Sequence, residues 1–147
     1  VMHRAGCIKV YLGLESGSDD TLALMNKNVT VNDAMNTLDI LYREGIKAAA
    51  FFLVGYPGET RESMEKTFSF ALSFPFDEIS FNVPYPLPGS PLYDRVKDFS
   101  LEGDWEIENE TRFLYRAEFD EQWIKARISE TLEKFAETKR VKQMKTV

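Results

Sequence analysis

The amino-acid sequence predicts an α/β fold built on a parallel sheet, and three observations lead there. Apolar runs at 8–14, 47–54 and 77–83 have the length and the β-branched or aromatic content of strands. Two segments with apolar residues at helical spacing lie between them. The connections are short, so each strand–helix–strand passage reads as a right-handed crossover that lays the next strand parallel to the last.

The elements follow in order. Arg4-Ala5-Gly6-Cys7 reads as the last turn and glycine stop of a helix. In the first strand Ile8, Val10, Leu12 and Leu14 share one face, and Lys9, Tyr11, Gly13 and Glu15 the other. Ser18 is placed to cap a short helix carrying Leu22 and Met25. Thr30 and Asp33 form a capping-box pattern ahead of Val31, Ala34, Met35, Leu38, Leu41 and Tyr42, and Gly45 stops that helix. KAAAFFLV, at 47–54, is almost continuously apolar, as a strand covered on both faces would be. Thr60 caps the next helix, whose buried side is expected to hold Met64, Phe68, Ala71 and Leu72, and Pro75 ends it. The third strand again alternates, Ile79, Phe81 and Val83 against Glu78, Ser80 and Asn82. PYPLPGSPLYD, at 84–94, reads as a rigid and largely irregular loop. Residues 1–97 are thus expected to form one α/β unit. Residues 98–147 are expected to hold an acidic excursion and a C-terminal amphipathic helix, capped by Asp120, with Trp123, Ile124, Ile128, Leu132, Phe135 and Ala136 inward. The basic end of that helix suits the negative pole of its dipole.

Composition narrows the function. A net charge of −6 argues against a general nucleic-acid binder, which needs a basic face. One cysteine and one histidine exclude a disulfide framework, a thiolate cluster and an ordinary zinc site built from this chain alone. No apolar run is long enough for a membrane helix, and a cytoplasmic location is expected.

In a parallel sheet all C-terminal strand ends share one rim, where α/β proteins bind ligands. Three unusual segments fall there: Glu15-Ser16-Gly17, Gly55-Tyr56-Pro57-Gly58-Glu59 and Pro84-Tyr85-Pro86. The two glutamates disfavour phosphate and suit hydroxyl donors or positive charge, as in a carboxylate gripping a ribose diol. Glycines beside a proline let a flat ring approach the backbone closely. A cationic nucleoside meets both conditions. The polar strand face, with Lys9, Tyr11, Ser80 and Asn82, turns either to solvent or to a polar cavity, and alternation by itself fits both.

Gly6-Cys7, then LGLESGSDDTL, MNKNVT, EGI, FFLVGYPGET and PYPLPGSPLYD occur in an order and spacing that resemble the C-terminal half of radical SAM (S-adenosylmethionine) enzymes. The likeness is greatest to the cobalamin-dependent subgroup that includes the Mg-protoporphyrin ester oxidative cyclases, and it runs from Gly6 to Asp94. The resemblance implies the last three βα units of a six-stranded partial TIM-type barrel, which holds SAM and a four-iron, four-sulfur cluster at its strand ends. It implies that Glu15 and Ser16 meet the ribose or methionine part of SAM. Gly55, Tyr56, Pro57, Gly58 and Glu59 would flank the adenine, and Pro84 and Tyr85 would close that pocket. Lys9, Tyr11, Ser80 and Asn82 are then candidates for the substrate lumen, and cobalamin is a further cofactor of the subgroup. Reductive cleavage of SAM to a 5′-deoxyadenosyl radical is the implied activity of the intact enzyme. The family's CxxxCxxC loop is absent from this sequence, so the chain is expected to be a fragment, inactive alone, whose partners are a small-molecule substrate and the missing N-terminal half of the barrel. Its open strand edges are expected to drive self-association. A non-catalytic nucleoside- or protein-binding module and a structural dimerisation domain are the alternatives.

Overall fold

The computed structural model describes residues 1–99 and 119–144. Strands β1 (Lys9–Glu15), β2 (Lys47–Leu53) and β3 (Glu78–Asn82) form one parallel sheet in the order β1-β2-β3. Helices α1 (Asp19–Leu24) and α2 (Val31–Arg43) join β1 to β2, and α3 (Arg61–Ser73) joins β2 to β3. Helix α4 (Pro91–Val96) follows β3, and α5 (Glu121–Met144) ends the described chain.

Local chemistry sets the boundaries. Both long crossover helices open with a reciprocal capping box, Thr30 with Asp33 and Thr60 with Ser63, so the first-turn amides are satisfied by side chains. Gly6 closes the turn His3–Ala5 at φ +89°, the left-handed conformation that suits glycine. Ser18 stands at the N-cap of α1 without a side-chain cap bond. The proline-rich segment is less irregular than its composition predicts. Ser90 Oγ accepts from the Tyr93 amide at 3.1 Å, and Pro91, which has no N–H to leave unsatisfied, takes the first helical position of α4.

The core draws its strand residues from one face of the sheet. Ala48, Ala50, Phe52 and Phe81 are buried there, with Val10, Leu12, Leu14 and Ile79 packed beside them. Phe52 is fully buried among Phe81 at 5.3 Å, Phe70 at 6.0 Å and Phe76 at 6.2 Å between ring centroids. Helix α3 contributes Met64, Phe68, Phe70 and Ala71. The C-terminal helix joins the same core through Ile124 and Ile128, and Arg127 clamps it by donating to both oxygens of Glu65 at 2.7 and 2.6 Å. Among the described residues no helix is long and apolar enough to cross a membrane.

Four expectations need correction. Strand β2 is covered fully on one face and only in part on the other, where Ala49 is buried and Leu53 half-buried but Phe51 is 41% exposed. Ile8 precedes β1 and lies in solvent. The helices bury narrower stripes than predicted, leaving Met35 and Tyr42 of α2 and Leu72 of α3 exposed. On α5 the inward stripe is Ile124, Ile128, Thr131 and Phe135, an i, i+4, i+7, i+11 series, and Leu132 and Ala136 fall outside it. Of the acidic excursion expected from Asp98 to Glu121, residues 100–118 lie outside the described residues.

Candidate functional site

The end of β1 answers why an apolar strand finishes in a glutamate and a glycine turn. The β1–β2 register jumps between Gly13, opposite Phe51, and Glu15, opposite Phe52, so Leu14 is an extra residue in the strand. Glu15 sits at φ +63°, which is uncommon for a residue with a side chain. Its carboxylate folds back over Gly13, where a Cβ would stand 2.9 Å from Oε1, and accepts from Lys27 Nζ at 3.0 Å. Gly13 thus leaves the room that Glu15 fills.

Ser16 and Gly17 turn the other way. Ser16 is buried, with Oγ 2.9 Å from Thr67 Oγ1 of α3, and it accepts the Ser18 amide at 3.1 Å. The Gly17 amide donates to Thr67 Oγ1 at 3.0 Å. Thr67 donates in turn to the Ser63 carbonyl at 3.2 Å, so the Ser16 hydroxyl is the donor in the Ser16–Thr67 bond. Ser16 therefore anchors the rim to α3.

After β2, the segment Gly55 to Glu59 turns through left-handed glycines at Gly55 (φ +82°) and Gly58 (φ +87°). Glu59 is 3% exposed and faces its own loop. Its Oε2 accepts the Gly55 amide at 2.7 Å and the Tyr56 amide at 2.9 Å, and Oε1 accepts the Thr21 hydroxyl of α1 at 3.3 Å. Burial pushes this carboxyl above its ordinary 4.5, outweighing the amide and hydroxyl donors, which pull it down. A raised folded-state pKa stabilises the fold fully below 4.5, and that contribution is lost as pH rises through the folded value. The stability difference between the parent and Glu59→Gln is therefore expected to shrink as pH climbs from 4.5 and then level off. Urea titrations across pH 4 to 8 (about four units) test this. A difference that grows with pH would mean that the amide donors dominate.

The third segment places Pro84 and Pro86 inside and Tyr85 47% exposed. Helix α4 then brings Arg95 back to the second segment, its guanidinium 6.0 Å from the Tyr56 ring centroid. A Cβ on Gly58 would lie 3.3 Å from Arg95 and 3.5 Å from Leu24 of α1. Thr21 on Glu59 and Leu24 on Gly58, both from α1, and Arg95 of α4 on Tyr56 tie the helices that follow the first and third segments to the second.

Below the rim lies the open sheet face. Register pairs Lys9 with Lys47, sets Ala49 between Tyr11 and Glu78 and Phe51 between Gly13 and Ser80, and pairs Leu53 with Asn82. Tyr11, Ser80 and Asn82 therefore share the face with Phe51. Lys9 shares it too, but at the N-terminal end of β1. Its ammonium is held there by Asp77 and by Glu78 at 2.7 Å, and those hydrogen bonds raise its pKa. Pattern reasoning missed Phe51, Thr21, Thr67, Lys27 and Arg95. The pleat rule, applied to β2 as it was to β1, would have placed Phe51 on the face of Tyr11. The contacts of the other four are tertiary and left no local signal. Among the described residues no three His, Cys, Asp or Glu side chains group as metal ligands.

Residues 1–71 match the family description "Radical SAM superfamily". The chain is 33% identical over 93 residues to an uncharacterized methyltransferase of Pyrococcus horikoshii, covering 63% of this chain and 20% of that protein. It is 31% identical over 106 residues to an anaerobic magnesium-protoporphyrin IX monomethyl ester cyclase of Rubrivivax gelatinosus, covering 69% and 19%. A tRNA-2-methylthio-N(6)-dimethylallyladenosine synthase of Baumannia cicadellinicola is 39% identical over 90 residues, covering 59% and 20%. Among solved structures, the archaeal Elp3 of Methanocaldococcus infernus superposes with a TM-score of 0.57 at 25% identity, covering 63% of this chain and 22% of that one. The chain spans about a fifth of the length of these curated relatives.

Proposed function

The chain belongs to the radical SAM superfamily, and on that premise we propose that its rim is part of the S-adenosylmethionine site of an enzyme whose substrate space is lined by the open sheet face. The observation that supports this reading is that α1, which follows the first segment, and α4, which follows the third, both pack on the second, while the Glu15 carboxylate is set above Gly13 at the end of β1.

The residues fit this ligand. Glu15 is an acceptor for ribose hydroxyls, and its negative charge attracts the sulfonium. Glu59 holds the backbone of Gly55 to Glu59 in the shape a flat purine can approach. Tyr56 of the second segment and Tyr85 of the third offer aromatic surface, and Pro84 follows β3. SAM bound there would supply radical chemistry only on receiving one electron from a reductant that these residues do not hold. The four-iron, four-sulfur cluster does not fit these residues, since the one thiol, Cys7, precedes β1 at the opposite end of the sheet. On this reading the outer edges of β1 and β3 are where the remaining strands of a partial barrel, or a second copy of the chain, would pair. The same lack of cluster ligands gives a second reading to the chain on its own, that of a nucleoside-binding module.

Titration of the protein with SAM, with 5′-deoxyadenosine as competitor, tests the proposal. Glu15→Ala is expected to weaken SAM binding about a hundredfold, the worth of one or two hydrogen bonds to a charged group. Binding unchanged in that variant would remove Glu15 from the site.

A further inference from the structure

We propose that a cleft between the end of α3 and the C-terminal half of α5 binds a small organic acid, its apolar body among three phenylalanines and its carboxylate on Lys139. The cleft has a volume of about 220 Å³ and lies beside the start of β3, at the end of the sheet opposite the rim. It therefore stands apart from the S-adenosylmethionine reading. Its position follows from how α3 stops. Phe74 leaves the helix in an extended conformation ahead of Pro75, and Phe76 returns to the core. The Phe74 and Phe76 rings meet there at 5.1 Å between centroids. Phe135 of α5 completes the aromatic wall, and Leu72, exposed on α3, adds an aliphatic one.

The polar edge narrows the ligand. The Ser73 hydroxyl donates to the Phe70 carbonyl at 2.8 Å and the Thr138 hydroxyl to the Lys134 carbonyl at 2.9 Å, so both protons are spent within their helices. Among the lining side chains that leaves Lys139 as the donor. Its ammonium stands 5.7 Å from the Phe135 ring centroid and gives one hydrogen to the Asp77 carbonyl, with two more to offer. The Asp77 carboxylate does not neutralise it. Asp77 Oδ1 is 3.9 Å from Lys139 and is shared with Lys47 at 3.8 Å, while Oδ2 is held by Lys9. Lys9, Lys47 and Lys139 thus face only the carboxylates of Asp77 and Glu78, and Lys139 is the lysine that lines the cleft. An acceptor with one negative charge on an apolar body matches both the walls and this surplus. A cavity of ~150 Å³ holds benzene, so the cleft suits a chain or ring of about six to ten carbons.

The full chain is to be titrated with octanoate, 1-octanol and octylammonium, each below its aggregation concentration. Calorimetry gives affinities, and proton shifts of the Leu72, Phe135 and Thr138 side chains report the place of binding. Octanoate is expected to bind and to shift those protons. Octanol is expected to bind about tenfold more weakly, the worth of one charge-assisted hydrogen bond, and octylammonium more weakly still. Lys139→Met is expected to erase the preference for octanoate over octanol while octanol binding persists, and Lys139→Arg to keep the preference. Thr138→Phe, at an exposed position of α5, is expected to fill the cleft and lower octanoate affinity at least about tenfold. Equal weakening of octanoate and octanol in Lys139→Met would mean that the lysine packs α5 and binds no carboxylate, which overturns the proposal. A preference that survives Lys139→Met, or octanol binding equal to octanoate in the parent, overturns it too. So does an absence of octanoate binding, the outcome if another segment of the chain covers the cleft. Displacement of octanoate by SAM would place the acid at the rim instead.

Discussion

Gly17→Ala is expected to be the most damaging single-methyl change in the molecule, lowering stability by about 3 kcal/mol, the upper end for overpacking a tight core. The reason is steric and not conformational, since Gly17 does not adopt a left-handed backbone. An added Cβ would stand 2.7 Å from the Lys66 carbonyl oxygen, 2.7 Å from Phe70 Cβ and 2.9 Å from Thr67 Cα. These atoms belong to the backbone and first carbon of α3 and cannot rotate away, so helix and strand end must separate. That separation strains the Gly17 amide bond to Thr67 at 3.0 Å and the buried Ser16–Thr67 hydroxyl pair at 2.9 Å. A shift of this size lowers the melting temperature of a 147-residue chain by roughly 10 °C. Gly13→Ala makes the contrast. Its new methyl meets the tip of Glu15, a flexible side chain, and so disturbs the rim more than the core. A Gly17→Ala protein that unfolds in urea within about 0.5 kcal/mol of the parent would show that α3 does not bear on this turn.

What the sequence made legible was what local chemistry decides. Thr30 with Asp33, and Thr60 before its helix, announced two helix starts, and the alternation from Ile8 to Glu15 and from Glu78 to Val83 announced two strands with one polar face. The parallel order followed from connection length. Illegible were features settled by contact at a distance. Ser16 and Glu59 look like ligand groups in a glycine-rich string, yet Thr67 and the amides of Gly55 and Tyr56 turn them inward. Phe51 was hidden in an apolar run whose helix-facing members alone enter the core. The stripe of α5 is set by α3, where Arg127 meets Glu65 and lies 5.1 Å over the Phe68 ring, and no periodicity within α5 encodes that partner. The bulge at Leu14 is likewise a property of two strands and not of one.

That bulge leads to the second large effect, in which stability and binding are expected to part. Glycine and alanine at position 15 both delete the carboxylate, so both should lose about a hundredfold in SAM affinity, as for any variant without the charged acceptor. They differ in the backbone they must adopt. Alanine at φ +63° keeps the strain that Glu15 carries, whereas glycine occupies that region freely. Losing the ion pair to Lys27, whose side chain is 43% exposed, subtracts the same small amount from each. Glu15→Gly is therefore expected to be more stable than Glu15→Ala by about 1 kcal/mol, the left-handed penalty of a residue with a Cβ. Glycine's extra freedom in the unfolded chain trims that margin by a fraction of a kcal/mol and does not reverse it. Parallel urea denaturation and SAM titration of the two variants separate the cases. If alanine were the more stable, position 15 would be free of strain. If either variant kept parental affinity, the strain would serve the fold and not the ligand.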